Sequence, residues 1–184
     1  RFGLDTPGAD LSDWITMVNT TMSLTESVTI GLVGKYVELH DAYLSVAEAL
    51  THGGIGNNVK VNIDWIDSET ITDENIADVL AGVDGVIVPG GFGQRGIEGM
   101  ITAIRYCREN QLPCLGICLG MQLMIIEYSR NVLGLGDANS AEFDPQSKNH
   151  VIDLMPEQKD VVQMGGTMRL GQYPCKLTPG TKAA

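Results

Sequence analysis

The sequence predicts an α/β fold, a doubly wound and mostly parallel sheet with helices on both faces. Short apolar runs of strand length alternate four times with segments of helical length or helical apolar spacing. The 184 residues include 22 Gly and only 5% aromatic residues, a composition that suits many tight turns between strands and helices. A chain of this length is sufficient for one domain with a sizeable core.

The first 26 residues differ from the rest because they are polar and only weakly periodic. Within them, Asp10 or Ser12 can cap a helix that begins near Trp14. We therefore predict an interdomain linker over residues 1–26 and the folded domain over residues 27–184. Because the chain begins with Arg1 rather than Met, we expect it to be a piece of a longer protein.

Four strand–helix units follow in order along the chain. A glycine turn ends the first strand, and alternating apolar and polar residues mark the second. A Pro-Gly-Gly loop follows the third strand, and a proline lies near the start of the fourth. Asp41 can cap the first helix, which Gly53-Gly54 would close. The strands are expected over Val28–Gly34, Val59–Ile66, Gly85–Val88 and Gln111–Ile117, and the helices over Ala42–Leu50, Asp73–Leu80, Ile97–Glu109 and Leu119–Tyr128.

The regular alternation fades after Leu133. Two later segments, Val151–Met155 and Arg169–Leu177, have strand character and are separated by a loop. We predict that they form an antiparallel extension.

Charge and cysteine usage exclude several classes of site. A net charge of −11 argues against a nucleic-acid or anionic-membrane surface, since both require a basic footprint. No phosphate-binding Gly-Lys loop occurs, and the four cysteines form neither a CxxC pair nor a set with His at metal-ligand spacing. We therefore expect no metal in this chain. Free thiols on predicted core elements indicate a reducing, cytoplasmic location, and the longest apolar stretch is too short to span a membrane.

Cys118 is the strongest candidate for chemistry, because it lies between Gly116 and Gly120 where a strand meets a helix. This context is typical of a nucleophile elbow, whose turn leaves no room for neighbouring side chains. The start of the helix would favour the thiolate. The alternative is that Cys118 is a small hydrophobic residue of the core.

Acyl transfer requires donors for the developing oxyanion. The backbone N–H of Leu119 is one candidate, and the Gly90-Gly91-Phe92 loop after the third strand can supply another. That loop could equally be a simple tight turn. Together the two features predict amide hydrolysis, but none of the three histidines is a convincing general base. We expect His40 on the surface beside Asp41, His52 at the end of the first helix, where the dipole favours a cation, and His150 at the start of a late strand.

The chain resembles the class I glutamine amidotransferases, in which Cys, His and Glu act together to hydrolyse glutamine. The elbow and the double-glycine loop carry this resemblance. Five stretches are the most diagnostic: Val33–Tyr36 with Asp41–Tyr43, Val88–Gly93, Gly116–Gln122, Asn139–Phe143 and Gly165–Gly171. The second and third are shared across the family, whereas the first, fourth and fifth match one member more closely.

The resemblance implies a role for each matching residue. Cys118 would form a γ-glutamyl thioester, and the N–H groups of Gly91 and Leu119 would form the oxyanion hole. Gln122 and Glu142 would hold the amino-acid end of glutamine, since a carboxylate suits its ammonium group. The glutamine-binding residues would be Gly91, Leu119, Gly120, Met121, Gln122 and Glu142.

In the closer relative, released ammonia passes to a synthase domain of the same polypeptide, which uses ATP and Mg²⁺ to convert UTP to CTP. GTP activates the hydrolysis, and we expect Phe92 to lie near it. The resemblance also implies a mobile lid over Gly165–Gly171, a homotetramer of the full-length enzyme, and no cofactor bound by this chain itself.

This chain differs from the family pattern in its general base. The family's Arg-rich stretch and its late His-Pro-Glu motif would lie beyond Ala184, so we expect the C-terminal part of the domain to be missing and the chain alone to be inactive. Two alternatives stay open: another class I amidotransferase or γ-glutamyl hydrolase, or a non-catalytic domain kept for assembly or regulation.

Overall fold

A four-stranded parallel sheet forms the centre of the fold. The computed structural model describes residues 8–154 and 174–181 of the chain. Contacts divide the chain into two units, Arg1–Ile152 and Asp153–Ala184, and the described helices and strands belong to the first. The strands are β1 (Ser27–Gly34), β2 (Lys60–Asp67), β3 (Gly85–Val88) and β4 (Cys114–Gly116), in the order β2-β1-β3-β4.

Every pairing in this sheet is parallel, as the sequence predicts. The helices that cover it are α2 (Leu44–Gly56), α3 (Ile76–Val79), α4 (Ile97–Glu109) and α5 (Leu119–Asn131). The helices before and between the larger elements are α1 (Ser12–Ser23) and two 3-10 turns, His40–Tyr43 and Ser68–Thr70.

Alternating side chains of the inner strands build two separate cores. Val33 and Val88 join the cluster formed with α3, α4 and α5, whereas Leu32 and Ile87 join the cluster beneath α2. This period-two division places helices on both faces of the sheet. The predicted doubly wound α/β fold is thereby confirmed.

The bounds of α4 agree with the sequence prediction, whereas α2 extends further than predicted. The helix does not stop at Gly53-Gly54 but continues to Gly56. Gly54 is buried, and a Cβ built on it would lie 2.6 Å from the Val59 carbonyl oxygen. The residue therefore permits close approach of the helix to the chain entering β2, rather than ending the helix.

The predicted capping also differs. No side chain caps α2, so Asp41 does not perform that role. Helix α3 is much shorter than predicted because Asn75 binds the preceding turn: its amide donates to Thr70 O and its carbonyl accepts from Thr72 N–H, both at 2.8 Å.

The antiparallel extension predicted for the last part of the chain is wrong in the described region. The strand β5 (Asn139–Ser140) pairs in parallel with β6 (His150–Ile152). Asp137, just before β5, accepts hydrogen bonds from Asn149 Nδ2 at 2.6 Å and from Lys148 N at 3.1 Å. These bonds hold the segment that leads into β6 beside the start of β5. Residues 174–177 carry no strand, and the rest of the predicted strand over Arg169–Leu177 lies outside the described residues.

Helix α1 has Leu11 at its N-cap and no side-chain cap, so the cap predicted from Asp10 or Ser12 is wrong. Asp10, one residue before the N-cap, instead accepts the Ser12 N–H through Oδ1 at 3.0 Å. None of its residues is buried, and Trp14 is 64% exposed. The boundary between a linker over residues 1–26 and a domain over residues 27–184 remains a prediction. Among the described residues, no helix is both long and apolar enough to cross a membrane.

Candidate active site

Cys118 lies at the turn between β4 and α5 with φ 52° and ψ −105°. Its side chain is exposed, so the alternative of a small core residue is excluded. The turn is held on both sides, since Ile117 N–H donates to Val88 O at 2.9 Å and Gln122 N–H donates to Cys118 O at 3.1 Å. A left-handed φ at a non-glycine residue is uncommon and is typical of a nucleophile elbow.

The flanking glycines allow the backbone to pack at this turn. A Cβ on Gly116 would lie 2.5 Å from the Gly120 carbonyl carbon. A Cβ on Gly120 would overlap the carbonyl oxygen of Val88 in β3. The glycine pair is therefore required by close contact between backbones.

The double-glycine loop after β3 lies against the cysteine. A Cβ on Gly90 would be 3.5 Å from Cys118 Cβ and 4.0 Å from its Sγ, and a Cβ on Gly91 would be 3.3 Å from Leu119 Cδ2. Within residues 8–154 and 174–181, the amides of Gly91 and Leu119 donate no hydrogen bond to the protein. Two free donors are therefore available beside an exposed thiol.

Lys35, which follows β1, binds the same loop from behind. Its side chain is almost fully buried, at 3% exposure, and Nζ donates to Phe92 O at 3.0 Å and to Gly93 O at 2.6 Å. Burial lowers the pKa of Lys35, and the charge of Arg95 lowers it further. Carboxylates act in the opposite direction on this pKa, Glu142 more than Glu69.

The residues proposed to hold glutamine lie on two segments. Gly120, Met121 and Gln122 form the first turn of α5, where Met121 is exposed and Gln122 half-buried. Glu142 is exposed, and its N–H donates to Ser140 Oγ at 3.2 Å. Gln94 connects this segment to the glycine loop by donating to Phe143 O at 2.6 Å.

The other cysteines are less suited to nucleophilic chemistry. Cys107 is buried, and hydrogen bonding with Cys114, together with burial, raises the pKa of its thiol. Cys114 is half-buried within β4, and Cys175 is exposed but belongs to the second unit.

The three histidines are exposed, and the contacts of His40 and His150 are made elsewhere. His40 is exposed and stacks on Trp65 with ring centroids 4.0 Å apart, which agrees with the surface position predicted for it. His150 Nε2 lies 2.9 Å from Asp144 O. His52 is exposed on α2 and does not end that helix, contrary to the sequence prediction. In the described residues, no hydrogen bond or ring contact joins any of the three to Cys118.

A pocket of about 490 Å³ adjoins the glycine loop at the carboxyl ends of β1 and β2. Its lining carries both signs of charge and includes Lys35, Tyr36, Asp67, Glu69 and Arg95. Phe92, on the loop itself, is 84% exposed. The described residues contain no group of three His, Cys, Asp or Glu side chains that could hold a metal ion.

Sequence reasoning assigned no role to Lys35, Tyr36, Gln94 or Arg95. Lys35 and Tyr36 lie within a stretch that carries the resemblance, and this is the sequence signal that marks them as candidates for a role. Nothing in the local pattern reveals that their partners are in the loop after β3. The lid predicted over Gly165–Gly171 lies outside the described residues.

Comparisons with known proteins agree with this geometry. The chain is 62% identical to a CTP synthase of Clostridium acetobutylicum over 183 residues, and 58% identical to one of Streptococcus thermophilus over 181 residues. These matches cover 100% and 98% of this chain, but the chain spans only 34% of each relative.

A solved structure, described as the glutaminase domain of Trypanosoma brucei CTPS with bound acivicin, superposes with a TM-score of 0.68 at 41% identity. The match covers 73% of this chain and 52% of that one. Because the sequence model of the glutamine amidotransferase class-I family matches residues 38–184, which include both loops of the candidate site, this chain belongs to that family.

Proposed function

We propose that this chain is the glutaminase domain of a CTP synthase. The observation that carries the proposal is the exposed Cys118 at positive φ beside the Gly90-Gly91 loop. The high identity to CTP synthases over the whole chain favours this member of the family over another amidotransferase or a γ-glutamyl hydrolase. It equally disfavours a purely non-catalytic role.

In the proposed reaction, the Cys118 thiolate attacks the side-chain amide carbon of glutamine. The N–H groups of Gly91 and Leu119 stabilise the oxyanion, and their lack of an acceptor within the described residues supports this role. The carbon–nitrogen bond then breaks, and a proton added to the nitrogen gives ammonia and a γ-glutamyl thioester. Water hydrolyses the thioester to glutamate and restores the thiol.

Substrate recognition is proposed to involve both segments next to the cysteine. The carboxylate of Glu142 would bind the substrate ammonium, and Gln122, Gly120 and Met121 would line the amino-acid end. The electrostatic influence of Glu142 on Lys35 supports its being near the glycine loop. We propose that His40, His52 and His150 do not act as the general base, since their contacts lie elsewhere or on the surface.

The whole protein is proposed to pass the ammonia to a synthase domain of the same polypeptide, where ATP and Mg²⁺ support amination of UTP to CTP. GTP is the proposed activator, and the exposed ring of Phe92 beside the glycine loop offers a surface for stacking a base. A cytoplasmic location and a homotetramer are proposed with it.

The experiment is substitution of the nucleophile in the full-length protein. We expect Cys118→Ala to lower glutamine-dependent CTP formation at least about 1,000-fold, because the thioester can no longer form. Synthesis from added ammonia should continue, since it bypasses the thiol. Both rates are measured from UTP conversion.

Cys175→Ala, which removes another exposed thiol, is the matched control and should retain both activities. Loss of both activities in Cys118→Ala would contradict the proposal, as would unchanged use of glutamine. Turnover of γ-glutamyl peptides by the unsubstituted protein, without UTP amination, would favour the γ-glutamyl hydrolase instead.

A further inference from the structure

The glycine loop after β3 is held by residues that follow β1, and this contact has a consequence for the oxyanion hole. Glycine at two successive positions lets the intervening peptide plane adopt several orientations. An oxyanion donor is effective only when its N–H points to the place where the charge develops. Some other part of the molecule must therefore fix the orientation of the loop.

Three successive peptide groups after Gly91 are bound to Lys35 and Tyr36. The N–H of Phe92, in the peptide that begins at Gly91, donates to Tyr36 Oη at 3.2 Å. The carbonyls of the next two peptides, Phe92 O and Gly93 O, accept from Lys35 Nζ at 3.0 and 2.6 Å. A peptide with either group bound cannot rotate without breaking that bond.

The lysine also restricts the loop by contact. A Cβ on Gly91 would lie 3.2 Å from Lys35 Cδ and 3.3 Å from Cε. A primary ammonium buried at 3% exposure must be hydrogen-bonded to be tolerated. The two carbonyls satisfy this requirement, so moving the loop would leave a buried charge without its acceptors.

Arg95 holds the lysine and tyrosine in place from the far end of the loop. Its Nη2 donates to Lys35 O at 2.6 Å, and its guanidinium carbon lies 5.7 Å from the centroid of the Tyr36 ring. Arg95 also pairs with Glu69, which follows β2. The loop is thus connected to the carboxyl ends of both β1 and β2.

We propose that Lys35 and Tyr36 are positioning residues that orient the Gly90–Gly91 peptide, so that the N–H of Gly91 points to the oxyanion. This inference deepens the proposed glutaminase function and depends on it. Neither residue touches the reacting atoms in this mechanism. Neither residue makes a hydrogen bond to Cys118 or Glu142, so we expect their main effect on transition-state stabilisation rather than on binding of the substrate.

The test uses Lys35→Met in the full-length protein, which keeps the length of the side chain and removes its donors. We expect kcat for glutamine hydrolysis to fall about 10- to 100-fold with little change in KM, because a misplaced donor affects the transition state more than substrate binding. Lys60→Met, at an exposed lysine that begins β2, is the matched control and should leave kcat unchanged.

Two inhibitors separate positioning from a general structural defect. Iodoacetamide alkylates Cys118 without an oxyanion, so its rate should be unchanged in Lys35→Met. The aldehyde analogue of glutamine forms a tetrahedral adduct whose oxygen occupies the oxyanion hole, so its affinity should fall about as much as kcat. Equal slowing of alkylation would indicate a distorted elbow and would overturn the proposal.

Tyr36→Phe tests the second contact separately and keeps the proposal falsifiable if Lys35→Met does not fold. It should lower kcat and aldehyde affinity together, by a smaller factor of about 3- to 10-fold, because one neutral hydrogen bond is lost. If Lys35→Met and Tyr36→Phe both fold and both keep an unchanged kcat, the inference is overturned while the glutaminase proposal stays intact. Absence of glutamine hydrolysis in the unsubstituted protein would instead contradict the proposed function itself.

Discussion

At the residue scale, the elbow holds Cys118 in a conformation that side chains seldom adopt. A non-glycine residue with φ 52° and ψ −105° costs on the order of 1–3 kcal/mol. The surrounding backbone compensates this cost, because Gly116 and Gly120 let β3, β4 and α5 approach closely. The exposed position of the thiol thus depends on two neighbours that have no side chain.

Gly120→Ala should therefore lower the free energy of unfolding by about 3 kcal/mol, the upper end of the usual range for overpacking. Its Cβ would overlap the backbone oxygen of Val88, which no rotamer change can move. Urea denaturation of the variant and the unsubstituted protein gives the difference.

Gly53→Ala is the matched control, since its Cβ would meet nothing within 4 Å on the exposed side of α2. It should raise the free energy of unfolding by about 0.5 kcal/mol, because alanine favours the helix. Equal stability of Gly120→Ala and the unsubstituted protein would contradict the packing described for the elbow.

At the element scale, a buried carboxylate connects α4 to α5. Glu127, with its side chain 2% exposed, accepts from Arg108 Nη2 at 2.8 Å and from Arg108 Nε at 3.1 Å. Asn131 Nδ2 donates to the same carboxylate at 3.1 Å. This ion pair packs the last turn of α4 onto the helix that begins with the elbow.

Arg108→Ala should lower the free energy of unfolding by about 3–5 kcal/mol, because it leaves the buried charge of Glu127 without its cation. The measurement is again urea denaturation. Glu98→Ala breaks the other ion pair between these helices, in which the Glu98 side chain is 74% exposed. That control should cost less than about 1 kcal/mol, and a similar loss in both variants would contradict the assigned difference in burial.

At the scale of the whole molecule, parallel topology gathers the site from distant parts of the sequence. The carboxyl ends of β1, β3 and β4 lie at one edge of the sheet, which is where sites form in open α/β folds. Lys35, the Gly90-Gly91 loop and Cys118 follow these three strands. The segment that carries Glu142 is then connected to the loop through Gln94.

Acid should weaken the contact between Asp137, just before β5, and the segment that leads into β6. Hydrogen bonds from Asn149 and Lys148 hold the pKa of Asp137 below its ordinary value of 3.8. Because the folded-state pKa is depressed, its stabilising contribution is present above pH 3.8 and is lost as the pH falls through the lowered value.

We therefore expect Asp137→Asn to melt below the unsubstituted protein at pH 6, and the difference to shrink as the pH falls below about 3.8. Melting temperatures across this range give the comparison. Asp64→Asn, at an exposed carboxylate of β2, is the control. It should lower the melting temperature at pH 6 less than Asp137→Asn does, because the hydrogen bonds from Lys148 and Asn149 are kept. A difference that grows on acidification would contradict the assigned direction.

Local patterns in the sequence determined much of this molecule. The alternation of apolar strands with helices predicts the parallel sheet, and the helical spacing of apolar residues gives Ile97–Glu109 with the bounds observed. The glycines around Cys118 predict an exposed residue at a tight strand-to-helix turn. The individual strands, helices and turns depend on interactions between residues close in the chain, so the sequence carries that information directly. Their alternation then favours parallel pairing, because a helix connects each strand to the next.

Only the tertiary structure decided how these pieces meet. Helix α2 continues through Gly54 because the backbone before β2 fills the space beside it. The pairing of β5 and β6 is parallel because Asp137 binds the returning segment. Lys35 binds a carbonyl 57 residues away, and no local pattern specifies such a partner, because the contact is created by the order of strands in the sheet.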